Sequence, residues 1–182
     1  MLVHVRATAL QAGDAVRRYD LDVRVPNWHQ MLVAAGDAHA FRNLVDALKA
    51  ANPGGWGPVS IELILEYIRT REFGELPSRL QCAFAGADEL SALRFAFTYR
   101  PSMDNLFYEV APVGDLVFAN MAFVNRGYEP HLPPAMAIDR QYARARAYWN
   151  SVTPDPHDVI ISEALLVGGA TIVRPLNLPG PF

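Results

Sequence analysis

Between Asp158 and Arg174 the chain reads D-V-I-I-S-E-A-L-L-V-G-G-A-T-I-V-R, its most apolar and most strand-like stretch. In an extended strand Val159, Ile161, Glu163, Leu165 and Val167 point one way, and Ile160, Ser162, Ala164 and Leu166 the other. Both faces are mostly apolar, so the strand is expected to be covered on both sides. Glu163 breaks the pattern. A carboxylate there needs an ion pair, hydrogen bonds or an open cleft to offset several kcal/mol of desolvation.

The same reading of periodicity places the other elements. Residues 2 to 8 alternate, with Val3, Val5 and Ala7 on one face and Leu2, His4 and Arg6 on the other, which predicts a half-buried first strand. A turn or short helix around Gly13 and Asp14 follows within residues 10 to 20. Leu21 to Val25 suits a short strand, and Pro26 to Gly36 fits strand or loop equally. Phe41, Leu44, Val45 and Leu48 are spaced as the apolar face of a helix from Ala38 to Ala51, ended by Asn52-Pro53-Gly54-Gly55. In a second helix Ile61, Ile64, Leu65 and Ile68 form the core stripe, Glu62, Glu66 and Arg69 the solvated side, and Pro58 and Ser60 suit the first turn. Arg79 to Ala85 reads as a strand, with Leu80, Cys82 and Phe84 on one face against Arg79, Gln81 and Ala83. Leu90, Leu93 and Phe97 predict a short helix over 86 to 97. Asn105 to Ala111 and Asp115 to Met121 flank Pro112-Val113-Gly114 and suggest a hairpin with a three-residue connection. After a loop-like stretch from Val124, Pro133 and Pro134 open a helix with Ile138, Tyr142, Ala145 and Trp149 on one stripe and Arg140 and Arg144 on the other side; Thr153-Pro154-Asp155-Pro156 ends it. Gly168-Gly169 turns the late strand into a last one, Ala170 to Arg174. Strands at both ends, helices clustered in the N-terminal half and closely spaced late strands indicate an α+β fold with a mixed or mostly antiparallel sheet, in a single domain spanning residues 1–182.

Composition narrows the function classes. At 182 residues, 51% hydrophobic and 19% charged, the chain suits one domain with a sizeable core. No apolar run approaches the roughly 18 residues of a membrane span, the first residues lack the pattern of a signal peptide, and no membrane partner is expected. One cysteine, Cys82, excludes an internal disulfide framework and makes a cytoplasmic setting the default; its place beside Leu80 and Phe84 reads as a buried small hydrophobe. A net charge of -3 gives no general pull toward nucleic acid. Lys49 is the only lysine, and the arginine excess fits GC-rich coding or bidentate anion binding alike. P-loop, G-x-S-x-G, H-E-x-x-H and paired Cys/His spacings are absent from the sequence, and no G-x-G-x-x-G follows the first strand, which counts against Walker-site hydrolysis, zinc chemistry and a Rossmann fold.

What remains is an order of parts: His4 in a first strand, Ser78-Arg79 entering a later one, Tyr148-Trp149 at a helix end, and Glu163 in a late strand before L-L-V-G-G. With L-P-S-R-L-Q-C-A-F-A, A-L-R-F-A, Y-E-V, Y-W and E-A-L-L-V in that order, the chain resembles the ADP-ribosyltransferase-like superfamily, and in pattern its bacterial families of undefined function. The likeness spans nearly the whole chain and is densest over residues 76 to 173. It implies a sheet split into two small halves that grip NAD as a substrate, with nicotinamide released by cleavage of its N-glycosidic bond and the ADP-ribosyl group passed to an unidentified protein, nucleic-acid or small-molecule acceptor, or to water. Cleavage builds positive charge on the ribose, and a carboxylate beside it stabilises that state. The resemblance gives that task to Glu163, a ribose hydroxyl to His4, the pyrophosphate to Arg79 with Ser78 alongside, and the nicotinamide ring to Tyr148.

Each assignment has a plainer counterpart. His4 reads equally as a satisfied strand histidine, Arg79 as a partner of Glu72 or Glu75, and Trp149 as core. Glu109 is a rival carboxylate on the face of Phe107 and Ala111. Ile161 stands where an E-x-E or Q-x-E pair would place a second polar group, a departure that counts against modification of protein arginines. A tRNA 2'-phosphotransferase branch is a further alternative, one that would need several cleft arginines at positions the motifs do not assign. The alternative is a non-catalytic nucleotide-binding or protein-interaction module on the same scaffold, and a purely structural reading pairs Glu163 with a cation in the core.

Overall fold

The sheet is made of strands that each solve a different burial problem, and its order follows from them. The computed structural model describes residues 1–6, 9–16, 30, 37, 39–41, 43, 44, 46, 56–99, 104–124, 134–155 and 161–178. Its strands are β1 (Leu2–Arg6), β2 (Ala15–Val16), β3 (Cys82–Gly86), β4 (Leu106–Pro112), β5 (Leu116–Asn120), β6 (Ser162–Val167) and β7 (Ala170–Leu176), and its helices α1 (Trp56–Glu72), α2 (Glu89–Tyr99) and α3 (Pro134–Asn150). The strands form one sheet in the order β2-β7-β4-β1-β3-β6-β5, and every pairing among the described residues is antiparallel. The architecture is α+β, and no helix among the described residues is long and apolar enough to cross a membrane.

β6 takes the interior place that its two apolar faces require, between β3 and β5. Ile161 and Leu165 pack on one side with Leu63, Ile64 and Ile68 of α1 and Tyr142, Ala145 and Trp149 of α3. Ala164 and Leu166 pack on the other with Tyr108, Val110, Phe118 and Ile172. β1 runs fully alongside β4 but meets β3 at a single register pair, Val3 with Gly86. The sheet is therefore two well-paired halves joined at a narrow seam. α2 lies over that seam: Val3 and Phe107 pack against Ala92 and Ala96, and a Cβ on Gly86 would sit 2.7 Å from the Ala92 backbone nitrogen. Gly86→Ala should therefore cost roughly 1–3 kcal/mol by overpacking against backbone, read as a lower urea midpoint.

Several expectations are corrected. Residues 105–121 do not form a hairpin, because β4 pairs with β1 and β7 while β5 pairs with β6. The short connection instead crosses from one half of the sheet to the other, held by Val113 N–H on the Gly169 carbonyl and Val167 N–H on the Asp115 carbonyl. The β6–β7 connection crosses at the same place through Gly168 and Gly169, both with φ +93°, and Gly114 lies so close to the Val167 carbonyl that no side chain fits there. The turn expected around Gly13 is present and leads into β2 on the edge of β7, and residues 17–20 lie outside the described residues. Leu90 of α2 is exposed, and that helix buries its small residues Ala92 and Ala96 instead. Residues 39–41, 43, 44 and 46 are helical as expected, opened by Asp37, whose Oδ1 accepts from Ala40 N–H at 2.8 Å. The strand expected at 21–25, most of 26–36, the turn at 52–55 and residues 158–160 lie outside the described residues.

Candidate functional site

Glu163 sits near the start of β6 on the face that α1 and α3 cover, and its side chain is 8% exposed. The cation that meets it comes from an unexpected direction. Strand alternation put Arg79 on the Gln81/Ala83 face, but residues 79–81 form a 3-10 turn and β3 begins only at Cys82. The turn breaks the alternation and brings the Arg79 guanidinium under the helices, where Glu163 points. Arg79 donates to Glu163 Oε2, and its Nε and Nη2 each reach one oxygen of Glu62 in α1 at 2.9 Å. Tyr148, near the end of α3, closes the group: its hydroxyl accepts from Arg79 Nη1 at 2.6 Å and donates to Glu163 Oε2 at 2.7 Å. The guanidinium carbon also lies 4.6 Å from the Phe84 ring centre and 5.0 Å from that of Tyr148.

Charge does not balance here. Two carboxylates, Glu62 and Glu163, face one guanidinium, so among the described residues the group carries one negative charge in excess. Burial alone pulls the Arg79 guanidinium down, but Glu163 and then Glu62 outweigh it and hold it well above its ordinary value. Burial pushes the Tyr148 phenol well above the ordinary tyrosine range, with the Arg79 charge opposing, so Tyr148 stays a donor to Glu163. Glu163 Oε2 takes the bonds from both Arg79 and Tyr148, and Oε1 bonds no described residue.

A second, neutral group lies beside the first. Glu66, one turn along α1 from Glu62, accepts from Arg69 Nη2 at 2.7 Å and from the Ser78 hydroxyl at 2.9 Å, while Arg69 Nη1 donates to the Leu76 carbonyl. Glu62 and Glu66 are thus buried at 8% and 3% exposure, contrary to the expectation of a solvated side. They are the residues that periodicity missed. The signal was present, since two glutamates four apart on one helix face, ahead of an S-R pair, offer two carboxylates where two arginines arrive.

The remaining expected site residues are placed as follows. Arg79, Tyr148 and Glu163 come together, and Ser78 belongs to the adjoining Glu66 group. His4 does not join them. Val3, Gly86 and Glu163 lie in one row across the seam, so His4, the next residue along β1, faces the opposite side of the sheet, opposite Tyr108. Its Nδ1–H donates to the Phe84 carbonyl at 2.7 Å. Tyr148 and Trp149 are both fully buried, at 0% and 1% exposure, so the Tyr148 ring has no open face for a nicotinamide to stack on, and Trp149 donates to the Leu65 carbonyl at 2.8 Å. All three Arg79 nitrogens are engaged with protein groups, so no pyrophosphate fork stands open. The rival carboxylate, Glu109, pairs across strands with Arg174 at 2.7 Å on the surface. Glu72 pairs with Arg146 and leaves Arg79 to Glu62 and Glu163. No group of three or more His, Cys, Asp or Glu among the described residues is arranged to hold a metal ion.

Cys82 is fully buried, as expected. Burial pushes its thiol up from 9.0 to about 11, with Arg79 partly opposing. The folded chain then keeps a proton that the unfolded chain releases between pH 9 and 11, so stability falls as pH rises through that window, by at most about 1.4 kcal/mol per pH unit. Urea unfolding across this range should show a shallower fall for Cys82→Ala than for the native chain.

No curated protein matches the chain. A family model described as "Protein of unknown function (DUF2441)" matches residues 42–177, which takes in α1, the 3-10 turn, α3 and β6; by that match the chain belongs to the DUF2441 family.

Proposed function

We propose that the chain is an ADP-ribosyltransferase-like enzyme that takes NAD as a substrate, with Glu163 as the carboxylate beside the ribosyl carbon. The observation that carries this reading is the bonding of Glu163. Arg79 and Tyr148 both bind Oε2, and Oε1 bonds no described residue, so one oxygen is held and the other is left for a ribose hydroxyl. Two features support it further. The excess negative charge around Arg79 suits a reaction in which positive charge develops on the substrate. The narrow seam between β1 and β3, in line with Glu163, accords with a sheet split into two small halves.

In this reading the C–N glycosidic bond breaks with its electron pair going to the ring nitrogen of nicotinamide, which becomes neutral. The ribosyl carbon takes up positive charge that the Glu163 carboxylate stabilises. Water or an acceptor nucleophile then bonds to that carbon and loses a proton; with water the products are ADP-ribose, nicotinamide and a proton. His4, on the far side of the sheet, has no part in this, and Arg79 and Tyr148 act on Glu163 rather than on pyrophosphate or nicotinamide.

A second reading, a nucleotide-binding or protein-interaction module without turnover, draws on the buried ion pair that ties Glu163 Oε2 to Arg79. Incubation of the full chain with NAD, followed by chromatography for nicotinamide and by calorimetry, separates the two. Nicotinamide release is the expected result; NAD binding without release favours the nucleotide-binding module, and neither binding nor release sinks both the enzyme and the nucleotide-binding module and leaves protein interaction.

A further inference from the structure

Glu62 touches no reacting group in the reading above, yet it sets the direction of the cation that does. A guanidinium is rigid and planar, so fixing two of its nitrogens fixes where the third points. Glu62 takes Nε and Nη2 of Arg79, each at 2.9 Å, and thereby aims Nη1 at Tyr148 and Glu163. Tyr148 supplies a second constraint from another helix, since its hydroxyl accepts from that Nη1 and so has its own proton directed onto Glu163 Oε2. The terminal torsion of a glutamate is broad when nothing holds it. Two donors on one oxygen, arriving from the 3-10 turn and from α3, hold this one.

We propose that Glu62 and Tyr148 are positioning residues that act through Arg79 and Oε2 to keep the other oxygen of Glu163 turned toward the substrate; the proposal rests on the reading of Glu163 given above. A glutamate placed only to neutralise Arg79 would not need a bidentate competitor, because Glu62 already neutralises it. The arrangement is spread over α1, the 3-10 turn, α3 and β6, and each contributes one member. Misplacing a reacting group by about 1 Å is enough to lose two orders of magnitude in rate, so small changes at Glu62 or Tyr148 are expected in turnover before they are expected in folding.

The test is steady-state nicotinamide release from NAD by the full chain carrying Tyr148→Phe or Glu62→Gln, with Glu72→Gln, in the exposed pair with Arg146, as control. Tyr148→Phe should lower kcat about 10- to 100-fold with KM within about twofold and a thermal midpoint within a few degrees, Glu62→Gln should do likewise from a different helix, and Glu72→Gln should change neither constant. Full kcat in both Tyr148→Phe and Glu62→Gln, with Glu163→Gln inactive, would overturn the positioning role and leave the role of Glu163 intact. A rise in KM at unchanged kcat would also overturn it, since that marks uniform binding. Absence of nicotinamide release from the native chain would overturn both readings together.

Discussion

Arg79→Met should lower the unfolding free energy by about 3–5 kcal/mol, which for a domain of this size is roughly 6–20 °C in thermal midpoint. Methionine fills much of the space of the arginine stem but brings no charge. Glu62 and Glu163 would then face each other in the interior with Tyr148 as the one remaining donor to Glu163 among the described residues, and the Phe84 and Tyr148 rings would lose the cation lying against them. Removal of one member of a buried ion group is expensive because the others stay desolvated; replacement of all charged members by apolar residues is often close to neutral. Adding Glu62→Leu and Glu163→Leu to Arg79→Met should therefore recover much of the loss, measured by calorimetric unfolding of the three-site variant. An Arg79→Met protein as stable as the native one would show that water reaches the group and that the carboxylates are not confined.

Glu163→Gln should abolish nicotinamide release, by about 100-fold or more, because the developing ribosyl charge loses its carboxylate. The substitution keeps the size and one acceptor oxygen, so Arg79 and Tyr148 still have a partner, and Glu62 still holds Arg79 by two bonds at 2.9 Å. One negative charge disappears from a group that carries one in excess. Steady-state kinetics on the purified variant decide the point: turnover within a few-fold of the native chain would take the reaction away from Glu163.

How much of this was legible in the sequence depends on whether the signal is local. The two-sided burial of β6, the α1 stripe of Ile64, Leu65 and Ile68, and Tyr142, Ala145 and Trp149 of the α3 stripe follow from spacing alone, and the structure bears them out. Glu163 was legible as an anomaly for the same reason. Strand partners were not. A three-residue connection between two strands looks like a hairpin from within, and nothing in residues 105–121 records that β6 and β7 require flanking places in different halves of the sheet. Phase was lost at Arg79, where a 3-10 turn of three residues changes the face that alternation assigns. Glu62 and Glu66 were misplaced because periodicity counts a charged neighbour of an apolar stripe as outside, whereas these two meet arginines inside. Leu90 was misread in the opposite sense: α2 approaches Gly86 too closely for large side chains, so alanines take its buried face.

In the proposed reading Glu163 is held for chemistry and is not the counter-ion on which the fold depends. The unfolding free energy of Glu163→Gln at neutral pH, from urea titration beside the native chain, tests it most directly. Because Glu62 alone can neutralise Arg79, the value should lie within about 1 kcal/mol of the native one. A loss of about 3–5 kcal/mol, the signature of a stranded buried charge, would contradict the account and make Glu163 a structural member of the core.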